Sequence, residues 1–100
     1  MLEKQIEKAF VMAVRARGGW CPKFASPGTD GMPDRLVLMP GGRMAFAELK
    51  APGQKPRPLQ LARHEALQAL GYRVYVIDDP DQIGGVLDEI CAASVSGICD

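Results

Sequence analysis

The first part of the chain carries hydrophobic residues at helical spacing. Ile6, Phe10 and Val14 are each four positions apart. Residues at this spacing lie on one face of an α-helix. The Gly-Gly pair that begins at Gly18 is a common way for a helix to end. The pattern therefore predicts an amphipathic helix over about residues 2–17.

Four segments favour β-strands. "WCPKFA" (residues 20–25) predicts a short strand, which Pro22 weakens because proline lacks the N–H of a ladder hydrogen bond. "DRLVLM" (34–39) and "RMAFAELK" (43–50) flank the turn "PGG" and predict a β-hairpin. "YRVYVI" (72–77) is a continuous β-rich run, which is typical of a buried strand.

Two further helices complete the pattern. Pro58 opens and Gly71 ends a helix whose inner stripe is predicted to be Leu59, Ala62, Ala66 and Leu70. Residues 79–93 predict a last helix, weakened by a central Gly-Gly pair. The helix before the final strand is long enough for a crossover, so the third and fourth strands are expected to be parallel. We therefore expect one α/β domain, α-β-β-β-α-β-α, over residues 1–93, followed by a C-terminal tail at 94–100.

Composition excludes several classes of protein. The 12 basic and 12 acidic side chains give a formal net charge of zero, which excludes a strongly basic nucleic-acid coat but not a local basic patch. No apolar run reaches the about 18 residues needed to cross a bilayer, and the charged start lacks the apolar segment of a signal peptide. The three cysteines show no CxxC spacing, so a disulfide scaffold or zinc cluster is not expected. A cytoplasmic protein fits these features.

Charged residues interrupt the apolar hairpin. Glu48 and Lys50 are two positions apart on a strand and therefore point to the same face. Asp34 begins the preceding strand. Two carboxylates that converge suit a hard divalent cation, and a nearby lysine can hold a water or a phosphate oxygen. This combination suits phosphodiester hydrolysis, in which charge develops on the phosphoryl oxygens.

The shared metal site places a condition on the hairpin loop. A two-residue loop would place Arg35 opposite Glu48, whereas a three-residue loop, Pro40–Gly42, would place Asp34 there. Structural readings of the same residues remain open at this point. Asp34 could simply begin a strand, and the charged pair on the second strand could be exposed on a sheet edge, where lysine guards against aggregation.

The motif residues resemble those of a known nuclease superfamily. "GMPD" followed by "ELK" resembles the PD-(D/E)xK signature. The wider match, "FASPGTDGMPDRLVLMPGG" with "FAELKAPGQ" and a glutamine soon after, resembles the virus-type replication-repair nuclease (VRR-NUC) domain in its stand-alone phage form. The resemblance runs from about residue 3 to residue 90. It implies a restriction-endonuclease-like αβββαβ core with a mixed central sheet flanked by helices.

The resemblance also implies roles for individual residues. Asp34, Glu48 and the Leu49 backbone carbonyl would bind Mg²⁺ or Mn²⁺. Lys50 would position or activate the attacking water. Gln60 would support the site from the second helix.

The family carries a further glutamate on the first helix. Glu3 and Glu7 are both candidates because both border the apolar stripe. Glu7 is preferred, since its distance to Gly18 resembles that in related archaeal junction-cleaving enzymes.

A basic stretch follows the motif. The segment from Lys50 to His64 contains no acidic residue, which fits either a solvated face or a track for a nucleic-acid backbone. The predicted nucleic-acid-binding residues are Lys23, Ser26, Lys55, Arg57, Arg63 and His64. His64 is expected to be a surface or DNA-facing residue and not a metal ligand, because the chain has no second histidine.

The expected function is a metal-dependent DNA endonuclease selective for branched or four-way-junction DNA. A homodimer is expected because a small nuclease needs two sites for two strands. Its place would be the bacterial host cytoplasm if a phage encodes it. The alternatives are a non-catalytic DNA-binding or packaging accessory protein with the same fold, or a nicking or restriction-like nuclease on linear duplex.

Overall fold

A mixed three-stranded sheet forms the centre of the fold. The structure, a computed structural model, describes residues 1–93. The strands, in spatial order, are β1 (Arg35–Met39), β2 (Arg43–Leu49) and β3 (Val74–Ile77). β1 and β2 are antiparallel, and β2 and β3 are parallel. The predicted mixed sheet and the predicted parallel crossover are therefore confirmed, whereas the tail at 94–100 lies outside the described residues.

Three helices of the described residues flank the sheet. They are α1 (Glu3–Ala16), α2 (Pro58–Ala69) and α3 (Ile83–Ala92), with short 3₁₀ turns at Pro40–Gly42 and Pro80–Gln82. α2 makes the crossover from β2 to β3, as a parallel connection requires. Within residues 1–93, no helix is long and apolar enough to cross a membrane.

The hairpin between β1 and β2 meets the condition set by the shared metal site. Its ladder pairs Met39 with Arg43 and Arg35 with Ala47, around the three-residue loop. Gly41 and Gly42 both have positive φ angles, 82° and 76°, which residues with a side chain rarely adopt. One step further along this register, Asp34 lies opposite Glu48.

The first predicted strand is present only in reduced form. Trp20 and Lys23 form isolated bridges to Leu38 and Arg35, outside any named strand. The Pro22 carbonyl accepts a hydrogen bond from the Leu36 N–H at 3.0 Å, but proline has no N–H to return it. The predicted first strand is therefore reduced to isolated bridges, because the missing donor interrupts the ladder, while the mixed sheet flanked by helices is as predicted.

The last strand also differs from its prediction as a buried element. β3 lies at the end of the sheet order, and only Ile77 among its four residues is buried. An edge strand has one neighbour instead of two, so its side chains are only partly covered.

The hydrophobic core lies on the side of the sheet that α1 and α3 cover. Alternate sheet residues point to this side, and each helix contributes one stripe. The core includes Ile6, Phe10, Val14, Val37, Ala45, Ala47, Leu49, Ile77, Leu87 and Ile90. At the surface, Arg17 after α1 forms a salt bridge with Asp88 of α3 at 2.8 Å.

α2 faces the sheet with a different side from the one predicted. Leu59 and Leu70 of the expected inner stripe are 45% and 75% exposed. Gln60 and His64 are the buried residues of this helix. The inner-stripe prediction is wrong because α2 packs on the sheet face that carries Glu48, and a buried carboxylate requires hydrogen-bond donors.

Candidate metal centre and active site

Two carboxylates meet at the open end of the hairpin. Glu48 is 1% exposed, and Asp34 lies beside it with Oδ2 accepting the Leu49 N–H at 3.0 Å. Burial, and secondarily the neighbouring Asp34 carboxylate, raises the pKa of Glu48 to about 7. Two adjacent carboxylates repel each other unless a proton or a cation neutralises them. This local electrostatic strain is what a bound cation would relieve.

Lys50 completes the charged group. Its Nζ lies 3.6 Å from Glu48 Oε2, which confirms that the two side chains share one face of the hairpin. The ammonium opposes the effects of burial and of Asp34 on the pKa of Glu48. An ammonium has three donors and no lone pair. Lys50 can therefore hold a water or a phosphate oxygen beside the carboxylates, but it cannot bind a metal.

Gln60 links Glu48 to the start of α2. Its Nε2 donates to Glu48 Oε2 at 3.0 Å, and its Oε1 accepts the Arg57 N–H at 2.8 Å. Arg57 is the N-cap residue and Pro58 occupies the first turn. The same amide therefore caps the helix and orients Glu48, as the capping-box position allows.

His64 lies inside the protein, against Glu48. Its Nε2 is 3.3 Å from Glu48 Oε1, and the residue is 5% exposed. The prediction that His64 lies on a DNA-facing surface is therefore wrong. Burial, with a further contribution from Lys50, lowers the pKa of His64, which favours a neutral ring that can donate from Nε2. The four-residue spacing between Gln60 and His64, which places both side chains on one helix face, is the sequence feature that indicates this position of His64.

The first helix reaches the same site from the side. Glu3 and Glu7 line a cavity of about 280 Å³ together with Lys23, Phe24, Ala25 and Asp34. Glu7 Oε2 accepts a hydrogen bond from Arg35 Nε at 3.0 Å, a contact that the sequence did not indicate. Both candidate glutamates therefore border the Asp34 cavity, and Glu7 alone is held there by an ion pair with β1.

The donor set fits a hard divalent cation. Within the described residues, no three side chains of His, Cys, Asp or Glu form a closed metal cage. The site instead offers the adjacent carboxylates of Asp34 and Glu48, next to the Leu49 backbone. Mg²⁺ is commonly held by one or two carboxylates while it keeps several waters. The residues present therefore match such an ion better than a cation that needs a full protein cage.

The predicted DNA-contact residues lie in different settings. Lys23, Lys55 and Arg57 are exposed, and Ser26 is half-buried. Arg63 is partly engaged, because its Nε donates to the Asp30 carbonyl at 2.8 Å. With His64 buried, the exposed basic groups are the ones available to a phosphate backbone.

The loop before β1 contacts α2. Besides the contact between Arg63 and Asp30, Gly31 packs on Leu59 so closely that an added Cβ would be 2.9 Å from Leu59 Cγ. Gly31 also has a φ of 84°, which favours glycine. The loop that leads into Asp34 is therefore positioned by the same helix that positions Glu48.

Known proteins are similar to this chain in sequence and in fold. No family model matches the chain. It is 53% identical over 79 residues to "Putative nuclease p44" of Acyrthosiphon pisum secondary endosymbiont phage 1, a match that covers 79% of this chain and 85% of that protein. A solved structure described as a VRR_NUC domain superposes with a TM-score of 0.81 at 30% identity, covering 88% of this chain and 97% of that one. The chain therefore belongs to the VRR-NUC family of nucleases.

Proposed function

We propose that this protein is a divalent-metal-dependent DNA endonuclease. The observation that carries the proposal is the buried Glu48 carboxylate, set against Asp34 and 3.6 Å from the Lys50 ammonium. Buried like charges are costly, and they persist where a function needs them. A phosphodiester next to a cation and an ammonium is the substrate that this charge arrangement suits.

Each residue of the site has a role in the proposed hydrolysis. A bound Mg²⁺ or Mn²⁺ would polarise the phosphoryl oxygen and acidify a water. Asp34 and Glu48, with the Leu49 carbonyl, would hold the ion. Lys50 would donate hydrogen bonds to the attacking water or to a phosphate oxygen, and Gln60 keeps Glu48 oriented. The water oxygen bonds to phosphorus and one phosphorus–oxygen ester bond breaks, which leaves a phosphate monoester and a hydroxyl.

We assign DNA binding to residues around the site. Exposed Lys23, Lys55 and Arg57, with partly engaged Arg63 and half-buried Ser26, would contact the phosphate backbone without reading base sequence. Glu7, held by Arg35 beside the Asp34 cavity, would act as the first-helix glutamate. Such backbone contacts suit selection by DNA shape, including branched and four-way-junction DNA.

A homodimer would present two such sites. α2 leaves Leu59 and Leu70, which lie on one stripe of the helix, exposed. Apolar side chains exposed along one helix stripe suit an interaction site, and two-fold symmetry is the commonest way for identical chains to associate. Light scattering should give twice the 10.8 kDa chain mass. Leu70→Lys should shift the mass towards one chain, and a wild-type protein of single-chain mass would contradict the dimer.

The cleavage test uses a four-way junction and a linear duplex of equal length, each with Mg²⁺, Mn²⁺ or EDTA. Wild type should cut only with metal, and the junction faster than the duplex. Asp34→Asn should abolish cutting, because the amide keeps the shape but not the charge. Asp88→Asn, an exposed carboxylate outside the site, is the matched control and should cut normally.

Other results would redirect the proposal. Equal cutting of both substrates would indicate a nicking or restriction-like enzyme. Binding without cutting would indicate a DNA-binding accessory. Action in the cytoplasm of a bacterial host follows for a phage-encoded protein, in line with the phage source of p44.

A further inference from the structure

The buried polar side chains of the protein form one connected group. Within residues 1–93 they are Glu48, Gln60 and His64, which are 1%, 6% and 5% exposed. The nuclease roles proposed above use the first two. His64 has no role among them, although it is buried as deeply as Gln60 and lies against the same carboxylate.

α2 contacts the two oxygens of Glu48 separately. Gln60 Nε2 donates to Oε2 at 3.0 Å, and His64 Nε2 lies 3.3 Å from Oε1. The terminal torsion of a glutamate is broad and roughly two-fold, so one hydrogen bond leaves the carboxylate plane free to rotate. A second donor on the other oxygen removes that freedom. The two residues together therefore define the plane of the carboxylate.

The contacts of Gln60 and His64 with Glu48 leave its carboxylate able to bind a metal ion. A carboxylate has about four lone-pair sites, and the two contacts from α2 use one on each oxygen. Lys50 is more distant, at 3.6 Å from Oε2. Lone pairs remain on both oxygens, next to the Asp34 carboxylate.

α2 leaves leucines exposed while its polar residues contact Glu48. Leu59 and Leu70 are 45% and 75% exposed, whereas Gln60 and His64 face the sheet. A rotation of α2 that turned these leucines inward would gain hydrophobic burial. It would also remove both donors from Glu48. In the observed orientation, the donors to Glu48 take the place of this apolar contact.

We propose that His64 is a positioning residue for the metal ligand Glu48, holding Oε1 so that the carboxylate meets a divalent cation in one fixed orientation. The inference rests on the proposed function, because it assumes that Glu48 binds the cation. Groups that orient metal ligands typically contribute about 10- to 100-fold to metal affinity.

The test compares three substitutions of His64 in the full chain. Gln places an N–H near the position of the histidine Nε2. Asn is equally polar, but its amide ends near the position of Nδ1, too short to reach Oε1. Leu fills the space without a donor. Gln68→Leu, at an exposed position on the same helix, is the matched control.

The readout is Mn²⁺ binding, measured by the loss of the free-ion signal in electron paramagnetic resonance, alongside circular dichroism for folding. His64→Asn and His64→Leu should weaken Mn²⁺ affinity about 10- to 100-fold, whereas His64→Gln should restore most of it. Gln68→Leu should bind like wild type. If the Leu variant does not fold, the polar Asn and Gln pair carries the same comparison.

Each contrary result has a distinct meaning. Unchanged affinity in the Asn variant would overturn the positioning role and leave the nuclease proposal intact. Tighter binding would mean that His64 competes with the metal, and weakening by Gln as well as Asn would make His64 a direct ligand; both overturn the inference. A folded wild-type protein that binds no Mn²⁺ would overturn the metal site itself, and the inference with it.

Discussion

The two faces of the central sheet differ in what they bury. Towards α1 and α3, the buried side chains of the sheet are apolar, such as Val37, Ala47 and Leu49. Towards α2, one residue along the same strand, it presents the carboxylate of Glu48. The period of two along β2 separates the two environments within a single strand. One short strand therefore serves the core with one set of residues and the site with the other.

This difference between the two faces lets a small domain combine stability with a strained site. The apolar face gains free energy from hydrophobic burial, which does not depend on metal or pH. The site face holds two neighbouring carboxylates whose repulsion falls when a proton or cation is bound. Substitutions on the first face should therefore change stability, and substitutions on the second should change activity, metal binding and pH dependence.

Lys50→Met should separate the effect on activity from the effect on stability most strongly. This change removes the ammonium and keeps an unbranched side chain, so transition-state stabilisation is lost while packing is kept. Cleavage should fall about 100- to 1,000-fold in kcat, as for the loss of one electrostatic group in an active site. Single-turnover kinetics measure the loss, and thermal unfolding should show little change. A large fall in Tm would contradict the assignment of Lys50 to the site.

The converse change is Phe10→Ala on the apolar face. Phe10 is fully buried between α1 and the sheet. Its truncation should lower the free energy of unfolding by about 3–5 kcal/mol, through lost burial and the cavity left behind. Urea unfolding measures this change. The remaining folded protein should bind Mn²⁺ like wild type, and a loss of metal affinity beyond the unfolded fraction would show that the two faces are coupled.

The smallest expected effect concerns the pH dependence of the metal-free protein. The pKa of Glu48 is raised from 4.5 to about 7 in the folded state, so the folded protein holds this proton more tightly than the unfolded chain. The associated stability is fully present below about pH 4.5 and is lost as the pH rises through about 7.

Glu48→Gln tests that dependence. The amide does not titrate, so the variant should lose less stability than wild type between about pH 5 and about pH 8. Urea unfolding in EDTA at several pH values measures the difference. Added Mg²⁺ should restore stability to wild type at the higher pH and not to the variant. Parallel pH profiles for the two proteins would contradict the raised pKa.

Much of the site could be predicted from local sequence. The spacing of Glu48 and Lys50 placed both on one strand face, and the hypothesis of a shared metal site required the three-residue loop Pro40–Gly42, which sets Asp34 opposite Glu48. These predictions succeeded because strand alternation and hairpin registers depend on few residues. The contact between Glu7 and Arg35 joins residues that are 28 positions apart, and nothing in their spacing indicated it.

α2 shows the limit of pattern reasoning. Its apolar stripe predicted that Leu59 and Leu70 face inward, yet Gln60 and His64 do. Hydrophobic periodicity identifies the helix but assumes that its partner surface is apolar. Here the partner surface carries a buried carboxylate, and the need for donors decides which side turns inward.

By itself, the sequence determined the order of the elements and the motif residues that place the chain among the VRR-NUC nucleases. Only the tertiary structure decided between the two possible hairpin registers, and it alone decided the rotation of α2, the burial of His64 against Glu48 and the pairing of Glu7 with Arg35. The physical reason is that local geometry follows from neighbouring residues. The surroundings of a buried charge are supplied by distant segments, which come together only when the chain folds.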